Sequence, residues 1–136
     1  MLTASLPTFE APKAVGGASI YVVDDERMVG EVVEVILGME GFKCRYFENP
    51  KDAYEAFLTA EERPDLLLTD YVMHPLNGME LLARCKDLEP GLRSVLYSGN
   101  VGTEILRQHT LQPDAFIAKP FLPKDLVRLV KKVLSA

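Results

Sequence analysis

The chain has 136 residues, 48% of them hydrophobic and 26% charged, which is the size and apolar content of one ordinary globular domain with its own core. Its formal net charge of −5 excludes the basic footprint that general nucleic-acid binding requires, and no apolar run reaches the length of a membrane span or follows a basic stretch as an export signal would. The two cysteines, Cys44 and Cys85, lack CxxC spacing and the Cys/His clustering of a zinc site; they read as reduced, buried thiols of a cytoplasmic protein.

Residues 1–17 mix Pro7, Pro12, Gly16 and Gly17 with small residues and show no period, so a flexible leader is expected there, with one domain over 18–136. The domain opens with "SIYVV", a short β-branched strand, and Val29, Val32, Val33, Ile36 and Leu37 follow at the spacing of one helical face. "FKCRYF" reads as a half-buried strand. Asn49 and Pro50 then suit an N-cap and first helical position, ahead of a stripe formed by Ala53, Ala56, Phe57 and Ala60. "DLLLT" precedes a helix carrying Leu81, Leu82, Cys85 and Leu88; "SVLYS" precedes a weaker, more polar helix in "GTEILRQHT". "AFIA" and a last helix with Leu122, Leu126, Leu129, Val130 and Val133 complete five strand–helix units. Such alternation predicts a doubly wound α/β fold: a five-stranded parallel sheet covered by five helices. Ligands then bind beyond the carboxyl ends of the strands.

The polar residues at those ends form a chemical set. The first strand ends in Asp24 and Asp25, the third in Asp70, the fourth in Ser98, and the fifth in Lys119 with Pro120 behind it. Three converging carboxylates repel one another, and a hard divalent cation with oxygen ligands is the ordinary remedy, Mg²⁺ being the natural choice. Ser98 can donate to a phosphoryl oxygen and Lys119 can neutralise another, which leaves Asp70 as the carboxylate able to attack phosphorus. Each residue alone has a plainer reading: a solvated helix start, a loop acid, a turn serine, a strand-end lysine. Their joint placement at four strand ends has none. His74 and His109 read as ordinary surface histidines.

"VVDDE", "PDLLLTD", "VLYSG" and "AKPF", in this order and spacing, resemble the receiver domain of two-component response regulators over residues 18–136, in the manner of the chemotaxis regulators. The resemblance implies a flavodoxin-like sheet of order 2-1-3-4-5. It implies Asp70 as the phosphoacceptor, Asp25 as a direct Mg²⁺ ligand, Asp24 as a ligand through water, and the main-chain carbonyl of Val72 as the remaining protein ligand. Ser98 corresponds to the hydroxyl that turns toward the phosphoryl group, Lys119 to the family's lysine, Phe116 to the switch aromatic, and the Lys119–Pro120 bond to a cis peptide. The implied function is a phosphorylation switch, with no catalysis beyond its own phosphotransfer and dephosphorylation. The implied partners are a histidine kinase or histidine phosphotransfer protein and an unknown downstream protein, with no direct nucleic acid and no membrane. The surface of the fourth helix, fifth strand and fifth helix changes its preference on phosphorylation and offers a face for a homodimer.

The sequence departs from the family pattern beside the acceptor. His74, followed by Pro75, replaces the usual proline, although Gly78 stands where the family's glycine is expected. Val72 and Asn100 occupy the positions that tune phosphoryl lifetime in the family, and an apolar Val72 predicts slow self-hydrolysis. Gly99 and Gly102 predict a weakly nucleated fourth helix. Two rival readings are an interaction module that is never phosphorylated and a haloacid-dehalogenase-like phosphatase. The phosphatase needs a second acid two residues after its nucleophile, where Val72 stands.

Overall fold

The computed structural model describes residues 17–99 and 103–136. The expected leader lies outside the described residues except for Gly17, and Asn100 and Gly102 lie outside them too. In chain order the elements are β1 (Ser19–Val23), α1 (Arg27–Gly38), β2 (Lys43–Phe47), α2 (Pro50–Thr59), β3 (Leu66–Asp70), α3 (Gly78–Leu88), β4 (Arg93–Ser98), a 3-10 helix (Thr103–Gln108), β5 (Ala115–Ala118) and α4 (Pro123–Ser135). The strands form one parallel sheet in the order β2-β1-β3-β4-β5, as the resemblance implied.

Alternate residues of each strand face opposite layers, so one sheet builds two cores. Ile20, Val22, Leu66, Leu68 and Val95 pack against α1 and α4 through Val33, Leu37, Leu126 and Val130. Tyr21, Val23, Leu67 and Leu96 pack against α2 and α3 through Phe57, Leu81, Leu82 and Cys85. β3, in the middle, is buried throughout, whereas the edge strand β2 alternates between exposed and half-buried residues until Phe47. Burial pushes the Cys85 thiol up to about 12 and the Cys44 thiol, which Glu34 also opposes, to about 11; both are free thiols, Cys85 buried as expected and Cys44 only half-buried on the edge strand.

Helix starts follow their caps. The Asn49 side chain accepts from the Lys51 N–H at 2.8 Å with Pro50 opening α2, and Asn77 and Glu80 form a reciprocal capping box on α3. At the rim of the sheet opposite the carboxyl ends, the same clamp occurs twice. Asp65 accepts from the Ser19 N–H at 2.9 Å and Asp114 from the Ser94 N–H at 2.8 Å, while the Asp65 and Asp114 N–H groups donate back to the Ser19 and Ser94 carbonyls. Each clamp ties the first or second residue of one strand to the residue before its neighbour.

Three expectations change. The connection after β4 is a 3-10 helix rather than a full α-helix: Ile105 and Leu106 are its only apolar residues, too few for a helical stripe. The Gln112 amide closes the segment by donating to the carbonyls of Leu106, His109 and Leu111. The apolar face of α1 is also wider than its buried face, so Val32 is 52% exposed and Met28 79% exposed. Leu122 is exposed as well, because it stands at the N-cap of α4 instead of in its buried stripe.

Candidate functional site

β1 and β3 are hydrogen-bonded neighbours, so their carboxyl ends bring Asp24, Asp25 and Asp70 together, with one carboxylate oxygen from each within 4.8 Å of the others. Asp24 is wholly buried and held at three points. Its Oδ1 accepts from the Glu26 N–H at 2.8 Å, its Oδ2 accepts from the Tyr97 hydroxyl at 2.8 Å, and its main-chain carbonyl accepts from the Tyr46 hydroxyl at 2.6 Å. Gly30 makes room for that last contact, since a Cβ there would lie 2.0 Å from the Tyr46 ring. Asp25, next in the chain, points outward and is exposed.

Asp70 is buried at the end of β3, its Oδ1 accepting from the Tyr71 N–H at 2.8 Å. Its main-chain carbonyl is closely approached by α3: a Cβ on Gly78 would sit 2.2 Å from it, while the Gly78 N–H donates to the Tyr71 carbonyl at 2.8 Å. Only glycine lets α3 start so near the Asp70 main chain. Burial, and then the charge of Asp24, push the Asp70 carboxyl up to about 6 against the opposing pull of Lys119 and the Tyr71 N–H. A carboxylate this strained by its neighbours is one that a cation would relieve.

Lys119 follows β5 and reaches across the cleft. Its Nζ lies 3.3 Å from Asp70 Oδ2, 3.4 Å from Asp24 Oδ2 and 3.5 Å from Glu26 Oε1, and 4.8 Å from the centre of the Tyr97 ring. Burial would lower its pKa, but Asp24 and Asp70 outweigh that and hold the ammonium above its ordinary value. Ser98, buried at the end of β4, lines a cleft of about 260 Å³ together with Asp25, Glu26, Asp70, Val72, Gly99 and Lys119. Asp25 and Asp70 on the cleft, with the buried Asp24 carboxylate within 4.8 Å of both, fit a hard cation of the Mg²⁺ class. Asp24, Asp25 and Asp70, with the carbonyl of Val72, are the residues that would hold it.

The remaining sequence candidates fall elsewhere. Phe116 is half-buried on β5 against the α2–α3 core and does not line the cleft. The Lys119–Pro120 and His74–Pro75 bonds are both cis. His74 is exposed, and His109 stacks edge-on to Tyr71 with Nε2 3.5 Å from its hydroxyl. The sequence reading missed Tyr97, Tyr46 and the ion pair of Glu26. The available signal was a tyrosine in a strand expected to be buried on both faces, because a buried phenol needs a partner.

A family model of the response regulator receiver domain matches residues 20–131. The chain is 33% identical over 122 residues to the phosphate regulon transcriptional regulatory protein PhoB of Pseudomonas aeruginosa, covering 87% of this chain and 52% of that protein. It is 32% identical over 121 residues to the DNA-binding transcriptional regulator NtrC of Azospirillum brasilense, of which it spans 24%. The response regulator receiver protein CpdR of Brucella abortus is 30% identical over 118 residues, with 86% of this chain and 97% of that protein covered. Among solved structures, a CheY-like receiver domain protein from Methanospirillum hungatei JF-1 aligns with a TM-score of 0.79 at 26% identity, covering 88% of this chain and 94% of that one. The strand order, the acidic cleft at the carboxyl ends of β1 and β3, and these matches lead to one conclusion: the chain belongs to the response regulator receiver domain family.

Proposed function

We propose that this chain is a phosphorylation-dependent signalling switch that accepts a phosphoryl group on Asp70 from a histidine kinase or a histidine phosphotransfer protein. The observation that carries the reading is the trio of carboxylates within 4.8 Å of one another beside the Lys119 ammonium. A bound Mg²⁺ would supply charge neutralisation for the phosphoryl oxygens. The Asp70 carboxylate is itself the nucleophile: one oxygen forms the O–P bond as the donor's P–N bond breaks, and the donor imidazole keeps the electron pair and takes a proton from solvent. Lys119 leaves its contacts with Asp24 and Asp70 to pair with the transferred group, and the Ser98 hydroxyl donates to it. The surface of the 3-10 helix, β5 and α4, with Phe116 as its switch aromatic, then changes its preference for a downstream protein or a second copy. Val72 offers an attacking water no hydrogen bond, which supports a long-lived phosphoryl group and no activity beyond the domain's own phosphorylation and dephosphorylation. The two free thiols support a reducing, cytoplasmic compartment.

A donor histidine has to approach Asp70 directly, so its protein docks on surface continuous with the cleft. Met28, Val32 and Phe121 line an apolar groove of about 560 Å³ that shares Gly99 and Lys119 with the cleft. That continuity supports α1 as the donor's docking face.

The test is intact mass after incubation with a small-molecule phosphodonor and Mg²⁺. One phosphoryl adduct, absent from Asp70→Asn and from a metal-chelated sample, is expected. A folded protein that takes up no adduct would overturn phosphorylation and leave an interaction module.

A further inference from the structure

Tyr97 is the last residue before Ser98, and its side chain is fully buried in the core beneath α1 and α4. From β4 its hydroxyl reaches past β3 to the carboxylate after β1, a span of two strand spacings, or roughly 10 Å. A phenylalanine would fill the same volume, so packing alone does not call for the hydroxyl. Two features of the cleft meet on this one side chain. Its hydroxyl donates to Asp24 Oδ2 at 2.8 Å, and its ring face lies 4.8 Å from Lys119 Nζ.

We propose that Tyr97 is a positioning residue of the acidic cleft: its hydroxyl fixes the Asp24 carboxylate for the cation, and its ring seats the Lys119 ammonium between Asp24 and Asp70. The proposal rests on the receiver reading and deepens it. With the hydroxyl present, Asp24 has Oδ1 on the Glu26 N–H and Oδ2 on Tyr97, so the carboxylate cannot turn to pair fully with Lys119. Without it, Oδ2 keeps only the ammonium at 3.4 Å, and closing that ion pair withdraws Asp24 from the cation. The ring acts separately, because a flat π face holds the ammonium over the cleft without supplying a counter-charge.

Tyr97→Phe removes the hydroxyl and keeps the ring. Mg²⁺ affinity measured by calorimetry, and Mn²⁺ affinity by electron paramagnetic resonance, should both weaken about tenfold. The Mg²⁺ concentration that half-saturates phosphorylation by a small-molecule donor should rise in parallel, with a much smaller loss of rate at saturating Mg²⁺. In an Asp24→Asn background the same substitution should change metal affinity less than about twofold, since the group it acts through is altered. Tyr97→Leu, which removes the ring too, should also lower the rate at saturating Mg²⁺. In the unsubstituted protein, labelled with ¹³C at the tyrosine ζ-carbon, the Tyr97 resonance should shift on Mg²⁺ addition with the calorimetric affinity. That readout does not depend on any variant folding. Affinity in Tyr97→Phe within about twofold of the unsubstituted protein, an undiminished effect in Asp24→Asn, or a stationary Tyr97 resonance would each overturn the proposal while leaving the receiver reading intact. Absence of metal binding by the unsubstituted protein would overturn both.

Discussion

Asp70 stores a cost that the folded chain bears until something positive arrives. Its carboxyl has an ordinary value of 3.8 and is pushed up to about 6 in the folded protein, first by burial and then by Asp24. The folded state therefore holds this proton more tightly than the unfolded state. The resulting stability is fully present below the ordinary value and is lost as the pH rises through about 6. In metal-free buffer at neutral pH, Asp70→Asn should consequently be more stable than the unsubstituted chain, by on the order of 2 kcal/mol, in urea denaturation. Adding Mg²⁺ should narrow or reverse that gap, because mass action stabilises only the chain that keeps the full acidic trio. The strand-end polar residues were legible in the sequence because chain order and a parallel sheet force them onto one rim. Tyr97 was not, because its role depends on reaching past β3, a relation between strands far apart in the chain.

Among the elements, strands were easier to read than helix faces. β1 coincides with its apolar run "SIYVV", since the middle of a doubly covered sheet tolerates little but apolar side chains, and the half-buried edge strand β5 coincides with "AFIA". In α1 the same apolar signal has two causes. Val33 and Leu37 are buried against the sheet, whereas Met28 and Val32 lie on the same helix yet face outward, and periodicity gives both sets equal weight. The outward set yields a prediction. Met28→Glu with Val32→Glu should slow phosphorylation by a histidine phosphotransfer protein at least about tenfold, as expected for charges introduced into an apolar contact. Phosphorylation by a small-molecule donor should be nearly unaffected, because neither residue lines the cleft. Equal slowing with both donors, in a rapid-mixing comparison, would remove α1 as the docking face. The weak fourth helix was also half-legible: its polar sequence announced a poor helix, but the closing hydrogen bonds of Gln112 lie beyond the segment itself.

On the scale of the whole molecule the two rims of the sheet use acidic residues in opposite ways. At the carboxyl rim, Asp24 and Asp70 crowd together and share one ammonium, so their arrangement changes with whatever charge enters the cleft. At the other rim, Asp65 and Asp114 each accept from an amide at or next to the start of a strand and fasten it to its neighbour. A phosphoryl group on Asp70 would take charge away from one of the two acceptors of the Tyr71 amide, the other being the Tyr97 carbonyl, and would draw Lys119, whose own N–H bonds to the Ser98 carbonyl, with it. Amide hydrogen exchange should therefore change at Tyr71 and Lys119 on phosphorylation and stay constant at Ser19 and Ser94. On the proposed switch, the paired serine–aspartate clamps would give the protein a built-in clock that phosphorylation leaves running. Constant exchange at Ser19 and Ser94 would serve as an internal reference against which an activation-dependent rate elsewhere in the same sample is read.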